Sequence, residues 1–129
     1  MPVLTMAKRD AIGRAFADPA RLVVVALCAA WCDTCTQFRA AYERVAQARP
    51  QATFVWLDIE DDAEIAGDID VENFPTLAIY RNGKPLHFGV SLPHETTVGR
   101  LADALADSGT PLADAPDEVA VLPASFKPE

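Results

Sequence analysis

Two cysteines, Cys32 and Cys35, stand three residues apart in the segment Ala30-Trp31-Cys32-Asp33-Thr34-Cys35. An apolar run precedes them and a helical pattern follows, so we expect Cys32 at a helix amino terminus. Free backbone N–H groups and the positive end of the helix dipole stabilise a thiolate there. Cys35 would lie on the same helix face, about 5 to 6 Å away, which is within disulfide range. This spacing predicts a reversible dithiol/disulfide pair.

A metal site is the main alternative for such a pair. Zinc takes four ligands, and Cys28, His87 and His94 supply no second cysteine pair at zinc-finger spacing. We therefore expect no bound metal. We interpret Cys28 as a small core residue of a buried strand, with a regulatory thiol as the alternative, and place both histidines at the surface.

The elements that must position the cysteines follow from hydrophobic periodicity. The valine-rich run 22–29 predicts a central strand buried on both faces, and 33–48 predicts the helix that carries the pair. Asn82-Gly83 predicts a hairpin turn, and Gly109 a helix stop. The remaining predictions are strands at 2–5, 53–59, 76–80 and 86–88, helices at 7–16 and 94–108, and a partly helical segment at 61–69.

Composition limits the possible partners. The chain has 129 residues, a formal net charge of -8 and a pI near 4.6, so a nucleic acid or an anionic membrane would repel it. The apolar run of about ten residues before the cysteines is half the length of a membrane span and fits a signal peptide poorly. We therefore expect no nucleic acid and no membrane as partner, and a cytoplasmic, reducing location.

Two regions differ in composition. Residues 1–109 predict one compact domain, whereas residues 110–129 hold four of the ten prolines and predict a tail. The tail contains one apolar stretch, Val119-Ala120-Val121-Leu122, which is unfavourable in water. We expect it to dock on the domain or on a second copy, and we expect a monomer or a weak dimer.

The motif Trp31-Cys32-x-x-Cys35, together with Phe74-Pro75-Thr76 before a strand, resembles the thioredoxin family from about Ala7 to Gly109. The resemblance implies an α/β thioredoxin fold, with a central mixed sheet and helices on both faces. It also implies a cis peptide bond before Pro75, lying against the redox pair.

The same resemblance implies the function and the site. It implies a protein-disulfide reductase, serving cell redox homeostasis, that acts on disulfide-containing proteins. Cys32 would be the nucleophile and Cys35 the resolving thiol, joined in the oxidised state as a Cys32-Cys35 disulfide. No cofactor would be bound, and a separate flavoprotein, similar to thioredoxin reductase, would supply electrons. The residues expected to dock the partner protein are Trp31, Phe74, Pro75 and Thr76.

The chain departs from the family pattern at positions that affect how Cys35 loses its proton, the charge beside Cys32 and the shape of the helix. Ala26 stands where the family usually has a buried aspartate, and Trp56 where it usually has a lysine. Either water or an acidic side chain such as Glu60 takes the proton of Cys35 instead, or the resolving step is slow and mixed disulfides persist. Asp33-Thr34 replaces Gly-Pro between the cysteines, and Asp33 adds a negative charge beside the thiolate. Ala40 replaces the family's helix-kinking proline, which predicts a straighter helix.

Two other functions remain open at this stage. A thioredoxin-fold interaction or redox-sensing module with little turnover would also carry these residues, and the missing aspartate favours it. An oxidase or isomerase in an exported compartment would reverse the direction of the reaction, and the absence of a convincing signal peptide weighs against it.

Overall fold

The computed structural model describes residues 3–66, 69, 71 and 73–126. The strands are β1 (Val3–Leu4), β2 (Leu22–Cys28), β3 (Thr53–Asp58), β4 (Thr76–Arg81) and β5 (Lys84–Val90). The helices are α1 (Arg9–Ala17), α2 (Asp33–Gln47), α3 (Ala63–Ala66), α4 (Glu95–Ser108) and α5 (Asp117–Ala120), with 3-10 turns at Met6–Lys8 and Leu122–Phe126. Within the described residues the predicted elements are present, with ends that differ by a few residues; residue 2 of the predicted first strand and residues 67 and 68 of the predicted 61–69 segment lie outside the described residues.

The described residues form a five-stranded mixed sheet in the order β1-β3-β2-β4-β5. The first three strands in this order run parallel, whereas β4 is antiparallel to both β2 and β5. All seven residues of β2 are buried, as a continuous apolar run at the sheet centre requires. The predicted fold class, a mixed sheet covered by helices on both faces, is confirmed.

The alternation of side chains along β2 divides the core in two. Val24, Ala26 and Cys28 face α2 and α4, whereas the residues between them face α1 and the carboxyl-terminal segment. On the first face, the hydroxyl of Tyr42 lies 2.9 Å from the carbonyl oxygens of both Val24 and Val55. Burial raises the pKa of Tyr42 far above its ordinary value, so this hydroxyl stays neutral and ties α2 to the sheet.

The hairpin turn follows its sequence signal. Asn82 and Gly83 both have positive φ, 56° and 73°, which a tight turn of the Asn-Gly type requires. Beside it, the guanidinium of Arg81 donates to the carbonyl oxygens of Leu105 at 2.8 Å and Gly109 at 2.9 Å, holding the end of α4.

Gly109 does end α4, but not through the left-handed conformation expected of a helix-stopping glycine. Its φ is -62° and its ψ is 137°. The constraint is space instead, because a Cβ atom here would lie 2.7 Å from Leu86 Cδ1 and 2.9 Å from the carbonyl oxygen of Leu105.

The carboxyl-terminal segment carries more structure than its weak helical periodicity indicates. Val119, Leu122 and Phe126 are at most 3% exposed and pack into the core on the α1 side of the sheet. The hydroxyl of Tyr80 donates to the carbonyl oxygen of Val119 at 2.7 Å, and the ring of Phe126 lies 5.6 Å from that of Phe16. In this structure residues 117–126 therefore lie against the domain of their own chain.

Candidate redox site

Cys32 caps the amino terminus of α2. Its backbone is extended, with φ -89° and ψ 118°, and its N–H donates to the carbonyl oxygen of Ala29 at 3.0 Å. Its own carbonyl accepts the N–H of Thr36 at 3.1 Å, which starts the helical ladder. Cys32 is partly exposed and forms no disulfide, and its role as the nucleophile stays a prediction.

The disulfide in the structure is not the predicted pair. Cys35 is bonded to Cys28, and their Cα atoms lie 5.8 Å apart. Both residues are 1% exposed, because Cys28 ends the central strand and Cys35 faces it from the first turn of α2. The interpretation of Cys28 as an ordinary core residue missed this contact. Exchange between Cys32 and Cys35 stays a prediction.

Asp58, which sequence analysis did not single out, anchors the loop that joins β2 to α2. It ends β3, which pairs in parallel with β2, so its side chain reaches the loop that leaves β2. Its carboxylate accepts backbone N–H groups from Ala30 at 2.7 Å, Glu60 at 2.8 Å and Asp61 at 2.9 Å. The sequence did give one indication of this role, because Asp58 is an acidic residue at the carboxyl end of a predicted strand.

The residues predicted to dock a partner protein separate into exposed and buried groups. Trp31 is 64% exposed, and its ring meets that of Phe74 edge-on at 5.5 Å. The peptide bond between Phe74 and Pro75 is cis, as the resemblance implied. Thr76 is buried, and its hydroxyl donates to the carbonyl oxygen of Asn73 at 2.7 Å. The side chain of Thr76 is therefore not available to a partner protein.

Glu60 is committed to another contact. The indole N–H of Trp31 donates to its carboxylate, which fixes the ring at the rim of the site. Glu60 is therefore held against Trp31 and does not line the cleft beside Cys35.

An open cleft of about 540 Å³ reaches Cys35 from the far side of the loop. The guanidinium of Arg39 lies over the ring of Trp56, 4.8 Å from its centre. Charged side chains therefore share the lining of this cleft with Cys35, a residue that is only 1% exposed. The lining includes Cys35, Arg39, Trp56, Asp58, Asp61 and Asp62.

The position of the missing aspartate is fully enclosed. Ala26 is 0% exposed and lies between Trp56 on β3 and Leu77 on β4. It faces α2 on the same side of the strand as Cys28. As an alanine, this residue has no carboxylate that could take a proton from Cys35.

The two histidines have different surroundings. His94 is exposed just before α4, whereas His87 is only half-exposed on β5. Burial lowers the pKa of His87, although the residue keeps part of its surface exposed on the hairpin. Among the residues that the structure describes, no three His, Cys, Asp or Glu side chains are grouped so that they could hold a metal ion.

The sequence profile of the thioredoxin family matches residues 3–105. The chain belongs to the thioredoxin family. Thioredoxin-1 of Saccharomyces cerevisiae is 36% identical over 64 residues, which are 50% of this chain and 62% of the yeast protein. Thioredoxin of Ophiophagus hannah is 28% identical over 67 residues, 52% of this chain and 64% of the snake protein. The matches thus span less than two thirds of these relatives.

Solved thioredoxin structures match a larger share of this chain than the sequence relatives do. The X-ray structure of Fasciola hepatica thioredoxin has a TM-score of 0.66 at 26% identity, covering 81% of this chain and 98% of its own. The additional length of the present chain lies beyond the thioredoxin profile and includes the segment that packs on α1. In the described part of the chain, no helix is both long and apolar enough to cross a membrane.

Proposed function

We propose that this thioredoxin-family chain reduces disulfides in partner proteins through Cys32 and Cys35. The Cys32 thiolate attacks one sulfur of the partner's disulfide, forms a mixed disulfide and expels the other sulfur as a thiolate. Cys35 then loses its proton and attacks Cys32. This step joins the two cysteines and releases the partner with both of its thiols reduced.

The position of Cys32 carries this proposal. It is the cysteine that solvent and a partner can reach, and it sits at a helix amino terminus, where a developing thiolate meets free N–H groups. Cys35 follows one turn later on the buried side of α2. A nucleophile in front and a second thiol behind it suit two successive exchanges.

The surroundings support a protein as substrate. The exposed ring of Trp31 and the partly exposed ring of Phe74 form an aromatic surface, and aromatic side chains are enriched at protein contacts. The backbone around Phe74, Pro75 and Thr76 would hold an extended segment of the partner, as the family resemblance suggests. With a net charge of -8, the chain disfavours nucleic acid in this role.

The rest of the proposal concerns the setting. Reducing equivalents come from a separate flavoprotein similar to thioredoxin reductase, and the chain itself binds no cofactor. It works as a monomer or weak dimer in the cytoplasm and contributes to cell redox homeostasis. The proton of Cys35 leaves through the acidic cleft, where Asp58 and Asp62 can hold water.

The test is the reduction of insulin, with separate Cys32→Ser and Cys35→Ser variants. Cys32→Ser should abolish reduction, whereas Cys35→Ser should accumulate as a mixed disulfide visible on a non-reducing gel. Repeating both on a Cys28→Ala background keeps the third cysteine from acting as a substitute. Equal trapping by both variants, or turnover without Cys32, contradicts these roles.

One observation favours a second candidate, a redox-sensing or interaction module. A disulfide between Cys28 and Cys35 occupies the resolving thiol, and Ala26 supplies no base to speed resolution. Such a module would bind partners and change with redox state, yet reduce insulin no faster than dithiothreitol alone. The insulin assay on the wild type separates the two candidates.

A further inference from the structure

Cys35 has two possible disulfide partners, one at the end of β2 and one at the start of α2. Cys28 is bonded to it in the structure, with 5.8 Å between their Cα atoms. Cys32 precedes it by three residues at the start of α2, a spacing that places two Cα atoms about 5 to 6 Å apart. Both separations fall in the range that a disulfide spans without backbone movement.

We propose that Cys28 is a third redox-active thiol, which takes over Cys35 after each reduction cycle and sets Cys32 free. The inference rests on the proposed function, because that function forms the Cys32-Cys35 disulfide on which Cys28 acts. The oxidised protein would then hold its disulfide inside the core and still present a reactive thiol outside.

The step is an internal thiol-disulfide exchange. The Cys28 thiol gives its proton to water, and its thiolate attacks the Cys35 sulfur. A Cys28-Cys35 bond forms, the Cys32-Cys35 bond breaks, and Cys32 leaves as a thiolate that takes a proton from water. The number of disulfides is unchanged, so no external oxidant or reductant is consumed.

The environments of the two end sulfurs set the direction. A thiolate leaving from Cys32 is partly hydrated and lies at the amino terminus of α2, where the positive end of the helix dipole favours a negative charge. A thiolate leaving from Cys28 would be 1% exposed at the end of an apolar strand. Exchange favours the leaving group whose charge is better solvated, which is Cys32.

Position along the fold explains how Cys28 reaches its partner. Ala26 and Cys28 lie on the face of β2 that packs against α2, and Cys35 lies on the face of α2 that packs against β2. The loop between them is held by the hydrogen bond from Ala30 N–H to the Asp58 carboxylate at 2.7 Å. Cys28 and Cys35 are therefore kept opposite each other.

Differential alkylation tests the proposal. Reduced wild type, Cys28→Ala and Cys32→Ser are oxidised with one equivalent of diamide, a two-electron thiol oxidant. Thiols left free are then labelled with N-ethylmaleimide under denaturing conditions, which removes any bias from burial. After reduction, the remaining cysteines receive a second label. Trypsin cleaves after Arg21 and Arg39, so one peptide carries all three cysteines and its fragments locate each label.

The expected wild-type pattern has the first label on Cys32 and the second on both Cys28 and Cys35. Cys32→Ser should still form its disulfide, and Cys28→Ala should protect both remaining cysteines from the first label. Under native conditions, oxidised wild type should expose one maleimide-reactive thiol per chain and oxidised Cys28→Ala none.

The opposite pattern overturns the proposal. It fails if Cys28 takes the first label in oxidised wild type and Cys32→Ser keeps two free thiols under the same oxidation. Thermal melts of all variants show that the labels come from folded protein. If the labelling contradicts the exchange with Cys28 while wild type still reduces insulin, the proposed function stands. If wild type shows the expected labels but does not reduce insulin, the proposed function is the one that fails.

Discussion

The variant Leu122→Ala tests whether the carboxyl-terminal segment belongs to the folded domain. Leu122 is 1% exposed against the core on the α1 side, whereas its neighbour Val121 is 59% exposed. Leucine-to-alanine changes at buried sites cost about 2 to 5 kcal/mol. A segment near a chain end relaxes more easily than a central one, so we expect about 2 to 3 kcal/mol.

This cost translates into a measurable melting temperature. For a chain of this size, 1 kcal/mol corresponds to about 4 °C, so Leu122→Ala should lower Tm by about 8 to 12 °C. The matched control is Val121→Ala, which removes apolar atoms one position away from an exposed site. Its effect should stay within about 0.5 kcal/mol, or about 2 °C.

For Gly13→Ala, the sign of the change in stability distinguishes a docked segment from a free one. Gly13 is buried within α1, where alanine is normally about 1 kcal/mol more favourable than glycine. A Cβ atom here would lie 2.2 Å from the carbonyl oxygen of Phe126, so the segment must shift. If the segment is docked, the variant is destabilised; if it is free, the variant is stabilised.

The assay is thermal unfolding followed by circular dichroism at two protein concentrations. A Tm that does not change with concentration indicates docking within one chain, whereas an increase with concentration indicates a second copy. The reasoning is refuted if Gly13→Ala raises Tm and if Leu122→Ala has the same Tm as Val121→Ala.

Two further predictions concern protons. Ala26→Asp should speed resolution of the mixed disulfide by Cys35 at neutral pH, up to about 100-fold, because the carboxylate can accept the proton of Cys35. The buried carboxylate should also lower the stability of the protein. An unchanged single-turnover rate in the folded variant would mean that removal of this proton does not limit resolution. Burial lowers the pKa of His87, so the folded state binds a proton at this residue less readily than the unfolded state does. The free energy of unfolding should therefore be highest above pH about 6.5 and should decrease as the pH falls from there through the pKa of the folded state. His87→Gln should lose less stability than wild type between pH 7.5 and 5 in urea unfolding, and parallel losses would contradict this.

Local patterns predicted the framework of the site well. The continuous apolar run of β2, the spacing of Phe38, Tyr42 and Val45 on α2, and the Asn82-Gly83 turn are short-range signals, and each has the expected structure. They depend on residues that are close in sequence, and tertiary contacts did not override them.

The missed features depend on contacts between distant residues or between elements. Asp58 bonds to Ala30 only because β3 lies beside β2, and the sequence does not state this neighbourhood. Cys28 has a partner because the end of a strand faces the first turn of the next helix. A cysteine in an apolar strand has the same local pattern whether it packs against carbon or against sulfur.

The choice between the two partners of Cys35 requires little movement of the backbone. β2 ends at Cys28 and α2 begins at Asp33, so the loop 29–32 separates an inner sulfur from an outer one. The Asp58 carboxylate fixes this loop, and Cys35 sits one turn into a helix whose face is packed on the sheet. In the exchange proposed above, rotation about the Cα–Cβ bond of Cys35 would turn its sulfur from the strand toward the helix start once the bond to Cys28 is broken. On that proposal, the chemical state of the three sulfurs changes while the fold stays the same, because only one buried side chain has to rotate.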